Sequence, residues 1–329
     1  MLKVGVVGMG GIGNTHADVY AENDEVELVA VCDLIADRAD SAASRLGVDV
    51  YYKLTEMLDR EELDVVSVTT SGVENGSDHH DPVMEALDSG VNVLCEKPLS
   101  NSIADAEEMV AKAKQEGLYL GTNLNHRFVP AAYRALKYIQ EGEMGDLLFI
   151  NMALWIDNPN DTTEYYHLRA LHPHSIDVMR YFCGDVKRVQ AFLTKPAERK
   201  NWSNAQINME FANGCIGHLT GSYDMSGNHP IERCEVAGTE GRFIIENVFE
   251  SLTFMPRRRP ETIVHGNNIF GGVGSFRDTF RNRINRFVEQ VAAGVDPGQI
   301  DASGADGLAA QKVIEAAIES HEKSAIVTV

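Results

Sequence analysis

The sequence predicts an α/β protein of two domains: an N-terminal doubly wound parallel sheet over residues 1–122 and a C-terminal α+β domain, built on a largely antiparallel sheet, over residues 123–329. A glycine-rich loop between an apolar strand and a helix opens the chain, strands then alternate with helices, and turn-joined strands fill the later part. Alternation is typical of a parallel sheet, and hairpins are typical of an antiparallel one. A chain of 329 residues is long enough for two separate cores.

The N-terminal stretch contains a glycine motif. Val4–Val7 predicts a buried strand, and a second apolar strand, Glu27–Val31, leads to Asp33, 20 residues after the third motif glycine. In a G-x-G-x-x-G unit the first glycine permits a tight turn, the second lets a pyrophosphate approach the backbone, and the third lets the helix pack on the strand. The context predicts a dinucleotide site, and the alternative is a glycine-rich turn in an ordinary α/β domain. The predicted phosphate-binding residues are Gly8, Gly10, Gly11, Ile12 and Gly13.

Asp33 determines which dinucleotide we expect. Its carboxylate is placed to accept hydrogen bonds from both hydroxyls of the adenosine ribose, whereas the 2′-phosphate of NADP would meet the same negative charge. No arginine lies directly beside it, although Arg38 is five residues further on. The sequence therefore predicts NAD as the cofactor, in preference to NADP.

Composition excludes several function classes. The formal net charge is −20 and the pI is about 4.9, which argues against a nucleic-acid partner because phosphate backbones select basic surfaces. The five cysteines are scattered without a C-x-x-C pair, so we expect reduced thiols and neither a disulfide framework nor a zinc site. The chain enters a strand directly, and no apolar run approaches the ~20 residues of a membrane span. These features predict a cytoplasmic protein without a signal peptide or a membrane partner.

The rest of the first domain alternates strands and helices. Strand Leu63–Val68 ends at Thr69 and Thr70, and strand Val91–Cys95 ends at Glu96. Both ends lie at the sheet edge where open α/β sheets bind ligands, so Thr69, Thr70 and Glu96 are predicted cofactor neighbours. A long loop, residues 71–81, follows Thr70. The other predicted elements are helix Ile35–Leu46, a helix beginning near Pro82, helix Ile103–Glu116 and strand Leu118–Leu120.

From about Asn123 the pattern changes to strands joined by turns. Asn213-Gly214 and Gly238–Gly241 are predicted hairpin turns between apolar strands. The alternation Ile207-Met209-Phe211 predicts one face buried in the core. The predicted elements are helix Pro130–Gln140, strands Leu147–Ile156, Val186–Leu193, Ile216–Leu219, Ile231–Val236 and Phe243–Ile245, and helices Ser275–Ala293 and Ala305–Ser320.

Lys97 is the first candidate for chemistry, because Glu96-Lys97-Pro98 closes a strand at the cofactor edge. A lysine there can donate a hydrogen bond to a substrate oxygen, or relay protons if its pKa is altered. Pro98 disfavours a helical conformation at residue 97 and so keeps the side chain in the loop. The alternative interpretation is a surface lysine in a turn.

The run from His172 to Asp177 is the second candidate. Pro173 suits a first helical turn and Gly184 suits a helix end, which predicts a helix over residues 173–183. His174 and Asp177 would share a face, and the helix N-terminus would favour the neutral imidazole that a general base requires. The alternative is a structural histidine in the core. The spacing of the nearby histidines matches no standard zinc pattern, so we predict no metal at His167, His172 and His174.

With these motifs the chain resembles the glucose–fructose oxidoreductase, inositol dehydrogenase and MocA family over essentially its full length. The resemblance implies an NAD(P)-dependent sugar or polyol oxidoreductase whose substrate binds between two domains. It also implies that Lys97 orients the reacting hydroxyl, that His174 is the acid/base, and that residues after Asn123 line the pocket. The further candidates are Lys97 and Asn125 for the cofactor, and Lys97, Arg127, Tyr165, His174 and Asp177 for the substrate. Asp177 is also a catalytic candidate, together with Lys97 and His174. The motifs that carry the resemblance are Gly8-x-Gly10-x-x-Gly13, Cys95-Glu96-Lys97-Pro98-Leu99, Asn125-His126-Arg127-Phe128 and His174-x-x-Asp177.

Two features depart from the family pattern. Many members hold this histidine with an aspartate four residues earlier, and here that position is Ala170. Asp177 and Lys97 are the alternative partners of His174; if His174 is not the base, Lys97 or a tyrosine of Tyr165-Tyr166 is next. The loop after Thr70 is longer than the usual T-P-N-x-x-H pattern. The histidine expected near its end is either His79 or His80.

The sequence as a whole predicts an NAD-dependent dehydrogenase of a secondary alcohol in a sugar, glycoside or polyol. One alternative is an NAD-retaining glycosidase that oxidises a sugar transiently and eliminates its glycosidic group. A second alternative is a non-catalytic regulator that binds a dinucleotide. The resemblance further implies a homodimer or homotetramer assembled through the C-terminal sheet.

Overall fold

The computed structural model describes residues 1–72, 78–225, 227–268 and 272–329. They form two compact units, Met1–Asn125 with Arg277–Leu308, and His126–Phe276 with Ala309–Val329. Unlike the predicted division into 1–122 and 123–329, residues 277–308 return to the first unit. The predicted loop at 71–81 lies partly outside the described residues. None of the helices that the structure describes is both long enough and apolar enough to span a membrane.

The first unit contains a six-stranded parallel sheet of order β3-β2-β1-β4-β5-β6. This is the doubly wound order of a dinucleotide-binding fold, in which the strand order reverses between β1 and β4. The strands are β1 Leu2–Val7, β2 Val26–Cys32, β3 Asp49–Tyr51, β4 Val65–Val68, β5 Asn92–Cys95 and β6 Leu120–Thr122. The helices are α1 Gly11–Ala21, α2 Ala36–Leu46, α3 Leu54–Arg60, α4 His80–Asp88 and α5 Ile103–Glu116.

The central strands of this sheet are buried on both faces. All four residues of β4 are buried, as are Val4 and Val6 of β1. Continuous apolar runs are the expected pattern for such strands, and the predicted α/β class is confirmed. The prediction did not include β3 and α3, whose three and seven residues are too short for a clear periodic signal.

Helix α8, Arg277–Ala292, explains why a late segment belongs to the first unit. The guanidinium of Arg283 is fully buried there; its Nε donates to the carbonyl of Thr122 at 3.0 Å, and a terminal nitrogen donates to the carbonyl of Ala302 at 3.0 Å. Phe287 lies under the same guanidinium, 5.5 Å from it. These contacts pin residues 277–308 to the end of β6, and no local sequence pattern indicates them.

The second unit is built on a nine-stranded sheet of order β14-β13-β12-β11-β7-β10-β9-β8-β15. Neighbouring strands are antiparallel except β10 and β7, which are parallel. The strands are β7 Leu147–Trp155, β8 Val186–Thr194, β9 Asn204–Phe211, β10 Ile216–Ser222, β11 Ile231–Gly238, β12 Gly241–Glu246, β13 Ser251–Pro256, β14 Ile263–Gly266 and β15 Val327–Thr328. The helices are α6 Pro130–Gln140, α7 Tyr166–Cys183 and α9, which runs from Gly304 in the first unit to Lys323.

One face of this sheet forms the core of the second unit. Ile207, Met209 and Phe211 of β9 are all at most 4% exposed, as their alternation predicts. Both predicted hairpins are confirmed, since β9 pairs with β10 around Asn213-Gly214 and β11 pairs with β12. Gly214 has a φ of +88°, a conformation that favours glycine. Helix α7 packs against β7 and β10 and carries the second candidate site.

Candidate active site

The three motif glycines lie in different surroundings. Gly8 has a φ of +94°, and a Cβ there would lie 2.7 Å from the backbone nitrogen of Thr70. A Cβ at Gly13 would lie only 2.0 Å from the carbonyl oxygen of Gly8, so α1 packs directly on the end of β1. At Gly10, in contrast, a Cβ would meet no described atom within 4 Å. Two glycines thus accommodate the protein's own backbone, and the middle one leaves space for a ligand, as the motif predicts.

The N-terminus of α1 is suited to an anion. The N-cap residue, Gly10, has no side chain of its own to cap the first backbone N–H groups of the helix, and such groups suit a phosphate. The side chain of Asn14 donates to the carbonyls of Met9 and Gly10 at 3.1 and 2.9 Å, which holds the loop in shape. Gly11 is open like Gly10, and Ile12 is exposed. These residues fit the pyrophosphate of a dinucleotide.

Asp33 holds the same loop from the end of β2. One carboxylate oxygen accepts a hydrogen bond from the backbone N–H of Met9 at 2.6 Å, and the other accepts one from Ile35 at 2.8 Å. A carboxylate oxygen has further lone pairs, so both oxygens retain acceptor capacity for ribose hydroxyls. The structure therefore places the Asp33 carboxylate beside the glycine loop and fixes its orientation.

The end of β4 is tied to the end of β1. The Thr69 hydroxyl lies 2.9 Å from the carbonyl oxygen of Val7 and 2.8 Å from that of Gly8, and the Thr70 hydroxyl donates to the carbonyl of Asp78. Between the two histidines that the sequence left open, the structure favours His79. Its buried ring contacts the carbonyls of Thr70 at 2.7 Å and Pro98 at 2.9 Å, and it thereby links the ends of two strands.

His80 begins α4 on the surface instead. Its ring contacts the carboxylates of Asp81 at 2.9 Å and Glu108 at 3.1 Å, and these side chains are largely exposed. Burial lowers the pKa of His79, while the hydrogen bonds to Asp81 and Glu108 raise the pKa of His80 despite its partial burial. The two neighbours therefore differ in both position and charge.

Glu96 is the centre of a buried polar network at the end of β5. Its carboxylate is 3.0 Å from Nε2 of His16 on α1, accepts a hydrogen bond from the Asn123 amide, and accepts another from the Lys97 backbone N–H at 3.0 Å. The other ring nitrogen of His16 contacts the Ser67 hydroxyl at 2.9 Å. Interactions with His16 and Lys97 and the Asn123 hydrogen bond keep the pKa of Glu96 low despite its burial. This network fixes the strand end that carries Lys97.

Lys97 is partly buried beside this carboxylate, and its peptide bond to Pro98 is cis. Burial lowers the pKa of the Lys97 ammonium, and the negative charge of Glu96 opposes that shift. A lysine with a lowered pKa can give up and take back a proton more readily than a surface lysine. Nearby, the fully buried Asn125 amide donates to the hydroxyl of Thr279 at 2.5 Å.

For the helix predicted over residues 173–183, the predicted first residue is wrong. Helix α7 begins at Tyr166, and Pro173 lies inside it. His174 is therefore in the middle of the helix, and the argument that a helix N-terminus keeps its imidazole neutral does not apply. Burial of nearly the whole segment 167–179 outweighs the cost of an internal proline, which a reading of local signals cannot weigh.

Within the second unit, the structure brings His174, Asp177 and Arg127 together. Oδ2 of Asp177 lies 3.1 Å from Nε of Arg127, and both side chains are buried. The same guanidinium lies over the ring of Tyr181 at 5.3 Å. The imidazole of His174 stacks on that of His126, with centroids 3.9 Å apart and planes 12° from parallel.

Tyr165, a predicted substrate residue, lies at the N-cap of α7, and its hydroxyl donates to the carboxylate of Glu322 at 2.8 Å. Burial and this hydrogen bond raise the pKa of the Tyr165 phenol. The structure therefore ties Tyr165 to α9, and the guanidinium of Arg169 lies over its ring, 5.9 Å from the centroid. Its role at the substrate stays a prediction.

His167 and His172 form a separate buried pair. Their Nε2 atoms are 3.0 Å apart; His167 also contacts the carbonyl of Trp202 at 3.1 Å, and His172 contacts the Ser175 hydroxyl at 3.1 Å. Burial lowers the pKa of both rings, that of His167 to about 4. In the part of the chain that the structure describes, no group of three or more His, Cys, Asp or Glu side chains is arranged to hold a metal ion.

Comparison with known families agrees with this geometry. Residues 2–124 match the model of an oxidoreductase family with an NAD-binding Rossmann fold, GFO_IDH_MocA. Residues 133–244 match the GFO/IDH/MocA C-terminal domain. The chain belongs to the GFO/IDH/MocA family. The family resemblance inferred from the sequence motifs is thereby confirmed, together with the NAD-binding fold.

Several proteins that this chain resembles are named as dehydrogenases. The chain is 25% identical to myo-inositol 2-dehydrogenase of Thermotoga maritima over 98% of this chain and 97% of that protein. It is 30% identical to inositol 2-dehydrogenase of Salmonella typhimurium, over 59% of this chain and 58% of that one. A solved levoglucosan dehydrogenase in complex with NADH and L-sorbose has the same fold, with a TM-score of 0.88 and 22% identity over 100% of this chain and 98% of that one.

Some site residues of this GFO/IDH/MocA protein were not identified from the sequence. His16 lies on α1, three residues after Gly13, and Asn123 directly follows β6. Their positions in the sequence indicate only that both residues lie near the edge of the sheet. Their convergence on Glu96 depends on three separate elements and had no local signal. His126 was noted only within the Asn125-His126-Arg127-Phe128 motif, and its stacking on His174 depends on the path of α7.

Proposed function

We propose that this protein is an NAD-dependent dehydrogenase that oxidises a secondary alcohol of a sugar or polyol. The observation that supports it best is the C-terminal edge of the first unit's sheet. There, the open glycine loop, the fixed Asp33 carboxylate and a Lys97 of lowered pKa follow β1, β2 and β5 of one parallel sheet. Open α/β sheets bind their ligands at this edge.

The residues of the loop fit an NAD molecule. Gly10 and Gly11 leave room for the pyrophosphate at the N-terminus of α1, and Asp33 has acceptors for the adenosine ribose. The predicted neighbours Thr69, Thr70, Glu96 and Asn125 stay proposed contacts. Bound NAD supplies the hydride acceptor, and the protein supplies position and proton transfer.

Lys97 and His174 are the proposed catalytic residues. Lys97, fixed at its strand end by the Glu96 network, donates a hydrogen bond to the oxygen of the reacting hydroxyl. His174 takes the proton of that hydroxyl as the carbonyl forms. Asp177 and Arg127 neutralise each other's charge beside it, and Arg127 is the proposed contact for further substrate hydroxyls. Each role rests on the family resemblance and on the local geometry of one unit.

The test is the appearance of NADH when the purified protein is mixed with NAD and a panel of polyols and sugars. The panel includes myo-inositol, D-apiose and levoglucosan, the compounds that name its relatives. We expect NADH to accumulate with at least one of them. Cleavage of a glycoside without net NADH would instead indicate the NAD-retaining glycosidase, and NAD binding without any product would indicate the regulator.

We also propose that the protein is a homodimer or homotetramer in the cytoplasm. On the outer face of the second unit's sheet, Phe149 and Ile216 are register partners in β7 and β10 and are 39% and 58% exposed. Apolar exposure on a regular sheet face supports pairing with a second copy. The five free buried thiols support a reducing compartment. Light scattering that reports the mass of a 36.2 kDa monomer at working concentration would contradict the oligomer.

A further inference from the structure

Glu232 carries a carboxylate at a strand position where the alternation of buried residues predicts an apolar side chain. It lies on β11 with Cys234 and Val236, and all three alternate residues are buried, with Glu232 only 8% exposed. Burial of a carboxylate is costly unless a hydrogen-bond donor or a charged partner satisfies it, and an apolar residue there would be cheaper. A polar residue at a buried position of an otherwise regular strand often has a functional role.

The partner of Glu232 is His126. Its Nδ1 lies 2.6 Å from Oε2 of Glu232, and both side chains are at most 9% exposed. The two residues line a cavity of about 10 Å³, room for about one water molecule, whose other walls include Val178 and Ile245. The pair is thus held in surroundings of low polarity, where a charge acts more strongly than it does in water.

The free face of the His126 ring is directed to the proposed acid/base. His126 and His174 stack in nearly parallel planes 3.9 Å apart, while Phe276 meets the His126 ring edge-on at 5.3 Å. Glu232, His126 and His174 therefore form a continuous row of carboxylate, imidazole and imidazole. All three belong to one unit, although they come from β11, the turn after β6, and α7.

We infer that His126 and Glu232 are the positioning residues of His174, in place of the aspartate that the family pattern expects at residue 170. This inference rests on the proposed dehydrogenase function. When hydride leaves the substrate carbon for NAD, the hydroxyl O–H bond breaks and the proton passes to His174, which becomes an imidazolium cation. His126 holds the plane of that ring, and the Glu232 carboxylate behind it offsets the new positive charge.

Two further groups of the second unit lie near the row, and neither adds a net charge to it. Asp177, one turn along α7 from His174, pairs with Arg127. His172, two residues before His174, is a buried ring whose pKa is lowered well below its usual range, so it carries no charge at neutral pH. Glu232 is therefore the carboxylate of this cluster that faces the stacked rings through an imidazole.

The test compares Glu232→Gln, which keeps shape but removes charge, with His126→Phe, which keeps a stacked ring, and His126→Ala, which removes it. Glu315→Gln is the matched control, because it breaks another carboxylate pair of the second unit, in which Glu315 of α9 lies 2.7 Å from Arg169 of α7. The first readout is the titration of the His174 ring in ¹⁵N-histidine-labelled full-length protein, with its signal assigned by His174→Ala. The second is the pH profile of kcat and kcat/KM with the most active polyol of the panel.

We expect Glu232→Gln to move the titration midpoint of His174 to lower pH by about 0.5–1.5 units, the size of a partly screened charge effect at short range. The acid limb of kcat/KM should move in the same direction, and kcat should fall by about 3–30-fold, less than the loss of a general base itself. His126→Phe should keep more of kcat than His126→Ala, because the stacked plane is retained. Glu315→Gln should leave both the midpoint and the pH profile in place.

A His174 midpoint that is the same in Glu232→Gln and wild type would overturn the inference, even if the variant were less stable. Equal kcat values for His126→Ala and wild type would also overturn it. The nuclear magnetic resonance measurement requires no turnover, so it separates this inference from the dehydrogenase assignment. If the midpoint shifts but no polyol or sugar is oxidised, the coupling stands and the proposed function fails.

Discussion

Replacement of Gly10 by alanine tests whether the glycine loop leaves space for a ligand. The Gly10 backbone has φ −74° and ψ −165°, a conformation open to any residue, and its Cβ would meet no described atom within 4 Å. The stability of the folded protein should therefore change little, because the gain of about 0.4–1 kcal/mol from a stiffer unfolded chain is offset by the poorer N-capping of alanine relative to glycine. The new methyl group would occupy the space that the pyrophosphate requires. We expect the Kd for NAD to rise at least ~10-fold, which is about 1.4 kcal/mol.

Gly13→Ala should show the opposite behaviour. Its Cβ would lie 2.0 Å from the Gly8 carbonyl oxygen, whereas ordinary contacts begin at 3.4 Å, so α1 must move away from β1. Overpacking of this kind costs about 1–3 kcal/mol. At about 2–4 °C per kcal/mol, Tm should fall by roughly 2–12 °C. Gly266→Ala is the matched control, because its Cβ also meets no described atom within 4 Å and it lies in the second unit.

The assay is thermal unfolding with and without NAD, together with calorimetric titration. At 100 times its Kd, NAD should stabilise the wild type by about 2.7 kcal/mol, and this gain should shrink in Gly10→Ala while its Tm without ligand stays normal. Gly13→Ala should start from a lower Tm, and Gly266→Ala should behave as wild type. The reasoning is refuted if Gly10→Ala retains the full NAD-induced shift, or if it lowers the ligand-free Tm as much as Gly13→Ala.

Three further predictions concern the cofactor, the catalytic pair and pH. NAD should bind more tightly than NADP, and Asp33→Asn should narrow the difference; equal Kd values in the wild type would contradict the role of Asp33. His174→Ala and Lys97→Ala should each lower turnover by ~10²–10⁴ with little change in the Kd for NAD. Near-normal turnover in His174→Ala would move the base elsewhere, and near-normal turnover in Lys97→Ala would contradict its role at the reacting hydroxyl. Burial lowers the pKa of His167 to about 4, so the unfolded chain binds its proton more readily and stability should fall by about 3 kcal/mol as the pH drops from about 6.5 to 4. Urea unfolding across that window should show a shallower decline in His167→Gln, and equal slopes would show that the ring is not held neutral.

Local sequence signals predicted the structure correctly wherever the residues that determine a feature lie within one short segment. The glycine motif, the acid after β2 and the Asn213-Gly214 turn each lie within a few residues of the backbone they shape, and the structure reproduces all three. The parallel and antiparallel halves followed from the same kind of signal, since strand burial and turn chemistry are periodic in sequence.

The interior of α7 shows where such signals fail. Pro173 and Gly184 together predicted a short helix, but contacts along the whole of Tyr166–Cys183 bury its residues and extend it by two turns. The error affected the predicted chemistry as well as the predicted helix boundary, because it placed His174 at a helix N-terminus. The ring that stacks on His174 instead belongs to His126, which lies far away in sequence.

By itself the sequence determined the fold class, the NAD site and the two residue types expected to carry the reaction, because each depends on backbone conformation or on side chains within one strand–turn–helix unit. Only the tertiary structure decided which groups hold Lys97 and His174. His16, Asn123 and Glu96 converge from three elements of the first unit, and in the second unit His126 stacks on His174 and contacts Glu232 of β11. A buried charge pairs with whichever group the folded chain brings close to it. Such contacts between residues that are distant in sequence leave no pattern along the chain.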